Sequence, residues 1–211
     1  PITGSNFGLN IQGNTTDDIK NSYTANQTIT AGFVMIDVKL NSKIRVVTGV
    51  RYEHTLINSA SKDSTLEAGY LNNNDFLPAL NLTWFVNNKT NLRFNASRTL
   101  ARPSFRELAP YASEDFEDGY VYIGNKDLLR TLIDNIDLKY EYFISPGEIA
   151  SAGIFYKRFI NPIEVVDNPS AQNAELTWKN MNQAVVYGLE LDFRKKLNFV
   201  NALRNIKVGV N

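Results

Sequence analysis

The chain has 211 residues, 43% of them hydrophobic and 11% aromatic, with 22 basic residues against 22 acidic ones and no cysteine. Zero formal net charge removes the basic excess that a general nucleic-acid binder needs against phosphates, and the lack of cysteine removes disulfides, thiolate zinc sites and a cysteine nucleophile. No run approaches the roughly 18–20 consecutive apolar residues of a spanning helix. Mean hydropathy, -0.27, fits either a β-rich soluble protein or a transmembrane barrel, whose strands hide apolar residues at every second position. Pro1-Ile2-Thr3-Gly4 has neither a basic nor an apolar leader character, so the targeting segment of an exported protein is expected outside this chain.

Period-2 alternation then recurs in chain order, and helical periodicity is scarce. Residues 28–40 set Val34, Ile36, Val38 and Leu40 against Met35, Asp37 and Lys39. After a turn at Asn41-Ser42, residues 44–57 oppose Ile44, Val46, Val50, Tyr52 and Leu56 to Arg45, Gly49, Arg51 and Glu53. A polar segment over 58–75 leads to a strand at 76–86, with Leu80, Leu82 and Trp84 against Asn81 and Thr83. The turn Asn87-Asn88-Lys89 opens 90–99, where Leu92, Phe94 and Ala96 face away from Asn91, Arg93, Asn95 and Ser97. Residues 100–130 read as a long irregular segment. The clearest strand, 131–144, puts Ile136, Leu138, Tyr140 and Tyr142 opposite Asn135, Asp137, Lys139 and Glu141. Ser145-Pro146-Gly147 turns the chain into a less regular strand at 149–160, and a second long segment covers 161–183. Residues 184–195 alternate Val185, Tyr187, Leu189, Leu191 and Phe193 with Gly188, Glu190, Asp192 and Arg194; a short, helix-compatible connection from Asn198 to Asn205 precedes a last strand from Ile206.

Short and long connections alternate, as periplasmic turns and extracellular loops do in outer-membrane barrels. Turns at Asn41, Asn87, Ser145 and Asn198 are expected on the periplasmic side, and segments 1–27, 58–75, 100–130 and 161–183 outside. Trp84, Phe85, Tyr142, Phe143 and Phe193 then fall near the periplasmic rim, and Tyr52, Tyr156, Phe159 and Tyr187 near the outer rim, where aromatic girdles sit. The polar face carries charges of both signs, suited to a watery lumen. The expected fold is all-β: an antiparallel up-and-down transmembrane β-barrel, with residues 1–211 forming a partial barrel domain of about eight strands. Lipid cannot satisfy two open sheet edges, so further strands are expected from outside this chain.

Specific motifs sharpen this. Asp75-Phe76-Leu77-Pro78-Ala79-Leu80-Asn81-Leu82 and Thr90-Asn91-Leu92-Arg93 precede the run Ser97 to Pro110, which reads S-R-T-x-A-R-P-x-x-x-E-L-x-P. Gly124-Asn125-Lys126-Asp127-Leu128, the stretch Phe155 to Glu164, and Tyr187-Gly188-Leu189-Glu190-Leu191 follow. From about residue 22 onward the chain resembles TonB-dependent outer-membrane receptors, most strongly those of the Bacteroidetes type. Lys126 stands where that family usually has proline, which affects the local turn. The resemblance implies a barrel of about 22 strands, a plug from an N-terminal domain, contact with outer-membrane lipid, and coupling to the TonB protein through a missing N-terminal region. It also implies energised import of a scarce nutrient such as a ferric siderophore or a glycan, in the bacterial outer membrane, with no cofactor.

Candidate ligand contacts from the extracellular loops or lumen are Arg98, Arg102, Arg106, Glu107, Tyr111, Tyr120 and Tyr122. The favoured reading of Arg102 and Arg106 is plainer: they tie the loop down by pairing with Glu107 or nearby acids. By parity Arg98 faces away from Arg93, Asn95 and Ser97 unless a bulge intervenes. The acidic run Glu114 to Asp118 lacks the regular D-x-D-x-D-G spacing of a calcium loop, so no metal is expected. His54, the single histidine, has no second histidine to share a metal or a proton transfer. Glycosylation triplets begin at Asn14, Asn26, Asn81, Asn88 and Asn95, and two of these fall inside strands. No P-loop, Gly-x-Ser-x-Gly, zinc triad or dinucleotide fingerprint occurs, so no enzyme is expected. The competing reading is a soluble β-sandwich, an adhesin or binding module, which would bury one face of each sheet.

Overall fold

The computed structural model describes residues 22–114, 119–168, 175–197 and 205–211. In chain order its elements are β1 (Tyr23–Lys39), β2 (Ile44–Ser61), β3 (Gly69–Asn87), β4 (Thr90–Ala101), the single helical turn α1 (Phe105–Leu108), β5 (Ala112–Glu114), β6 (Val121–Ile123), β7 (Thr131–Ser145), β8 (Glu148–Ile160), β9 (Ile163–Asp167), β10 (Glu175–Asn180), β11 (Gln183–Lys196) and β12 (Lys207–Val210). Eight of these form one antiparallel sheet in the order β1-β2-β3-β4-β7-β8-β11-β12. Every strand expected from alternation is present, and each is bonded to its neighbour in the up-and-down sense.

Short turns close one end of the sheet. Asn41 Oδ1 accepts from the amides of Lys43 and Ile44 at 2.8 and 2.9 Å, and Asn87 Oδ1 from that of Lys89 at 2.9 Å. These side-chain acceptors replace the ladder partners that the turning backbone loses. In the third turn Gly147 adopts φ 85, a left-handed conformation that costs glycine nothing. The fourth, Asn198 to Asn205, lies mostly outside the described residues.

Register decides which side chains share a face. Leu92, Tyr140, Ala152 and Leu191 lie in one cross-strand row, and Arg93, Lys139, Gly153 and Glu190 in the next, pointing the other way. Leu138, Tyr140 and Leu189 remain 38%, 48% and 65% exposed. A sandwich would bury them, so that expectation fails: the apolar face is an outer wall. The inner face carries ion pairs such as Asp37–Arg45 (2.5 Å) and Arg93–Glu141 (2.7 Å). Register also corrects the girdles. Trp84, Tyr142, Phe193, Tyr52, Tyr156 and Tyr187 point outward, whereas Phe85, Phe143 and Phe159 share the parity of Asn91, Arg194 and Ala184 on the inner face. Closeness to a strand end sets depth, and pleat parity sets side.

Two expectations about loops also change. The sequence of 58–75 predicts a polar loop, yet β2 continues to Ser61 and β3 begins at Gly69. About 9–11 residues cross the hydrocarbon, so the remainder overhangs into water, where a paired strand needs no apolar face. Segment 100–130 reads as irregular and 161–183 as a second long connection, yet they hold α1 and a second, four-stranded sheet in the order β5-β6-β10-β9. The core of the described residues sits at this end: Ile57, Leu71, Leu108 and Leu128, with Phe105, Ile163 and Trp178 packed against it.

Ile154 lies six residues from the start of β8, roughly 15 Å above the turn at about 3.3 Å per residue and a tilt near 40°. Ile154→Arg in the full-length protein is expected to cost about 2–4 kcal/mol of stability in a bilayer, while Glu190→Gln on the lumen side leaves it nearly unchanged. Equilibrium refolding into lipid vesicles measures both.

Candidate ligand-binding loops at the strand ends

The loop after β4 turns because Pro103 has no N–H to offer the ladder. Ser104 then caps α1: its Oγ accepts from the Glu107 amide at 3.3 Å, and Glu107 Oε2 accepts from the Ser104 amide at 2.6 Å. This reciprocal capping box starts a helix only four residues long. Its purpose is visible in Leu108, which is fully buried against Ile57 and Leu71, residues of the inner face of β2 and β3. The loop therefore folds back over the lumen side of the wall. Two glycines permit that approach. A Cβ on Gly69 would stand 2.7 Å from the Leu108 carbonyl oxygen, and one on Gly124 would stand 2.0 Å from that of Ala109.

Both ends of the loop are fastened electrostatically. Glu53 of β2 and Asp75 of β3 are cross-strand neighbours on the inner face. Arg102, at the loop's start, donates to Glu53 and, at 2.9 and 3.1 Å, to Thr55 Oγ1. Arg130, at its end, donates to Asp75 Oδ1 at 2.5 Å. Arg51 adds a bond to Glu53 at 2.6 Å. Two adjacent carboxylates would repel; three guanidiniums around them convert that repulsion into a clamp. Glu53 and Asp75 are both buried, and Asp75 Oδ2 has no hydrogen-bond partner among the described residues.

The second loop, after β8, joins the first. β6 pairs with β10 in parallel. Asn125 Nδ2 donates to the Trp178 carbonyl at 2.9 Å. The Asn180 amide accepts from Leu129 N at 2.7 Å and donates to the carbonyls of Leu129 and Asn161 at 3.0 and 2.8 Å. Arg106 donates to the Tyr122 carbonyl at 2.7 Å and to Ser113, and its guanidinium lies 4.5 Å over the Tyr111 ring and 5.3 Å from that of Trp178. Tyr122 packs on Trp178 at 5.6 Å, and Tyr111 stacks on Tyr23 at 5.2 Å. At the seam a recess of about 370 Å³ is lined by Asn125, Lys126, Asp127, Glu175 and Lys179. Asp127 and Glu67, each 2.9 Å from the Lys126 ammonium, raise its pKa, the hydrogen bond to Asp127 being the larger cause.

Of the expected contact residues, the structure gathers Arg106, Tyr111 and Tyr122 into one aromatic–cation cluster. Arg102 belongs to the clamp, and its acid is Glu53 rather than Glu107, which caps α1. Arg98 lies apart on the outer wall with Asp134 at 2.7 Å, with no bulge between them. Tyr120 is exposed. Asp115 to Asp118, the bulk of the acidic run, lie outside the described residues. Among those that are described, no group of three or more His, Cys, Asp or Glu could hold a metal. His54 instead shares Asn74 with Tyr52 on the outer face, at 3.0 and 2.7 Å. Asp75, Arg130, Trp178 and Asn180 also hold these loops and are not singled out as contacts by the sequence. Arg130, two residues after the Gly124-to-Leu128 motif, mirrors Arg102 across the loop, and that symmetry is the available signal.

Removing one partner from a buried ion pair costs about 3–5 kcal/mol. Arg102→Ala or Asp75→Ala is expected to loosen residues 102–130 by this order while the eight-stranded sheet persists, and Gly124→Ala to do the same by steric clash. Hydrogen exchange of the loop amides against those of β7 checks it.

No curated protein matches the chain. Among solved structures it is similar to a ferric enterobactin receptor mutant from Pseudomonas aeruginosa (PfeA) in complex with enterobactin, at 22% identity and TM-score 0.62, covering 81% of this chain and 25% of that one. The siderophore receptor PirA from Pseudomonas aeruginosa matches at 16% identity and TM-score 0.57, over 83% and 40%. A Serratia marcescens hemophore receptor HasR, bound to its hemophore HasA and heme, matches at 11% identity and TM-score 0.65, over 81% and 32%. The chain thus spans between a quarter and two-fifths of these receptors, and the likeness is one of fold. An outer membrane protein β-barrel family model matches residues 3–208, and the chain belongs to that family.

Proposed function

We propose that this chain is a barrel segment of a TonB-dependent receptor of the Bacteroidetes type, importing a ferric siderophore or a comparable scarce ligand. In this reading the rest of the polypeptide supplies a plug domain inside the barrel and the segment that engages TonB. The observation that carries it is the fastened loop pair. Two long loops joined by a shared sheet, clamped to the lumen wall through Arg102 and Arg130, make a preorganised rim, and preorganisation is what lets a loop bind without losing its own entropy. The similar solved receptors for siderophores and for a hemophore favour an iron-bearing ligand over a glycan.

Within the rim, Arg102, Arg106 and Glu107 spend their hydrogen bonds inside the chain and position it. Tyr120, two residues before Tyr122 of the aromatic–cation cluster, is exposed and is assigned a ligand contact. A host lacking the receptor should lose growth on its iron chelate under iron limitation. Uptake of radiolabelled iron should also stop when a protonophore collapses the inner-membrane gradient. Tyr120→Ala should raise the half-saturating chelate concentration several-fold at unchanged receptor abundance. Iron uptake that persists without the receptor, accompanied by failure to grow on a polysaccharide, would transfer the assignment to glycan import.

A further inference from the structure

Three charged side chains interrupt the apolar outer wall in a single cross-strand row. Arg98 of β4 faces Asp134 of β7, which faces Arg158 of β8. Their parity is that of Ala96, Ile136 and Tyr156, so all three point outward. Arg98 holds the carboxylate through two bonds, Nε to Oδ1 at 2.7 Å and Nη2 to Oδ2 at 3.1 Å. Asp134 is thereby engaged by one guanidinium, and the second, Arg158, stands exposed across the same carboxylate. The row carries two positive charges against one negative.

Its depth is informative. Arg158 lies ten residues from the start of β8, about 25 Å above the short turn at roughly 3.3 Å per residue and a tilt near 40°, which is the height of the apolar band of such barrels. Tyr156 and Tyr187, cross-strand partners two residues nearer the short turns, mark the aromatic level just below it. An arginine at the band's centre is costly, whereas at the interface it is cheap and meets headgroups. Guanidinium is also the group that matches phosphate geometry.

We propose that Arg98, Asp134 and Arg158 form an outward-facing site for the phosphate of an outer-leaflet phosphoglycolipid. Arg158 and the N–H groups of Arg98 not committed to Asp134 are the phosphate donors. Asp134 is a positioning residue that lays Arg98 against the wall and tempers the site's charge. The inference requires the outer-membrane location and not the import reading.

The test uses the full-length receptor in mixed micelles, with bound lipid A counted by native mass spectrometry. Bisphosphorylated lipid A should bind more tightly than its fully dephosphorylated form. Arg158→Gln, which leaves the Arg98–Asp134 pair intact, should weaken binding on the order of tenfold, the scale of one charge-assisted hydrogen bond. Asp134→Asn should tighten it, a direction opposite to that of general damage to the wall. Equal binding of the dephosphorylated lipid, or no change in Arg158→Gln, overturns the site. Displacement of the lipid by an equal concentration of inorganic phosphate overturns the lipid assignment.

Discussion

Hydrocarbon offers no hydrogen bond to a peptide group and no solvation to a charge, and nearly every feature of the large sheet follows from that. Backbone donors and acceptors must be matched strand to strand, so the eight strands pair in sequence order around the wall. Side chains must segregate by pleat parity, because a slip of one residue would exchange Leu138 and Ile154 with Asp137 and Gly153. The outer edges of β1 and β12 face no partner among the described residues, and the chain spans a quarter to two-fifths of the solved barrels it resembles.

Beyond the hydrocarbon the constraint changes, and so does the structure. Strands β2 and β3 run on into water, and their inner face supplies two things at once: Ile57 and Leu71 as a dry seat for Leu108, and Glu53 and Asp75 as anchors for Arg102 and Arg130. The two depend on each other. Leu108 cannot reach its seat unless the loop is drawn inward, and burying the carboxylates would be unfavourable without the arginines that draw it. The overhang is thus the platform on which an ordered loop pair is built.

This division explains what the sequence discloses. Membrane strands are legible because one face meets lipid throughout the hydrocarbon crossing, so alternation persists for about ten residues or more, as in 131–144 and 184–195. The loop strands are three to six residues long, and one pairing, β6 with β10, is parallel and joins residues more than fifty positions apart. No period survives over three residues. The clamp was half legible. Parity put Glu53 on the inner face, and the arginines stood out, but their meeting depends on register across three strands and on the chain's return after Pro103. Glu107 illustrates the ambiguity, since its distance of three residues from Ser104 suits a capping box as well as a loop ion pair, and the structure uses the former.

Arg98 shows why the same motif can serve two environments. Alternation carries the chain from Arg93 on the lumen side to Arg98 on the lipid side, and Pro103 then frees it to bring Arg102 back inward. Two arginines four positions apart end on opposite sides of the wall: one bonded to Asp134 in a polar break of the outer face, the other to buried Glu53 within. A motif rich in arginine is therefore not one binding surface. Its charges are sorted by pleat and by the turn that ends the strand, and only the inner ones can brace the loops that fold back over the lumen.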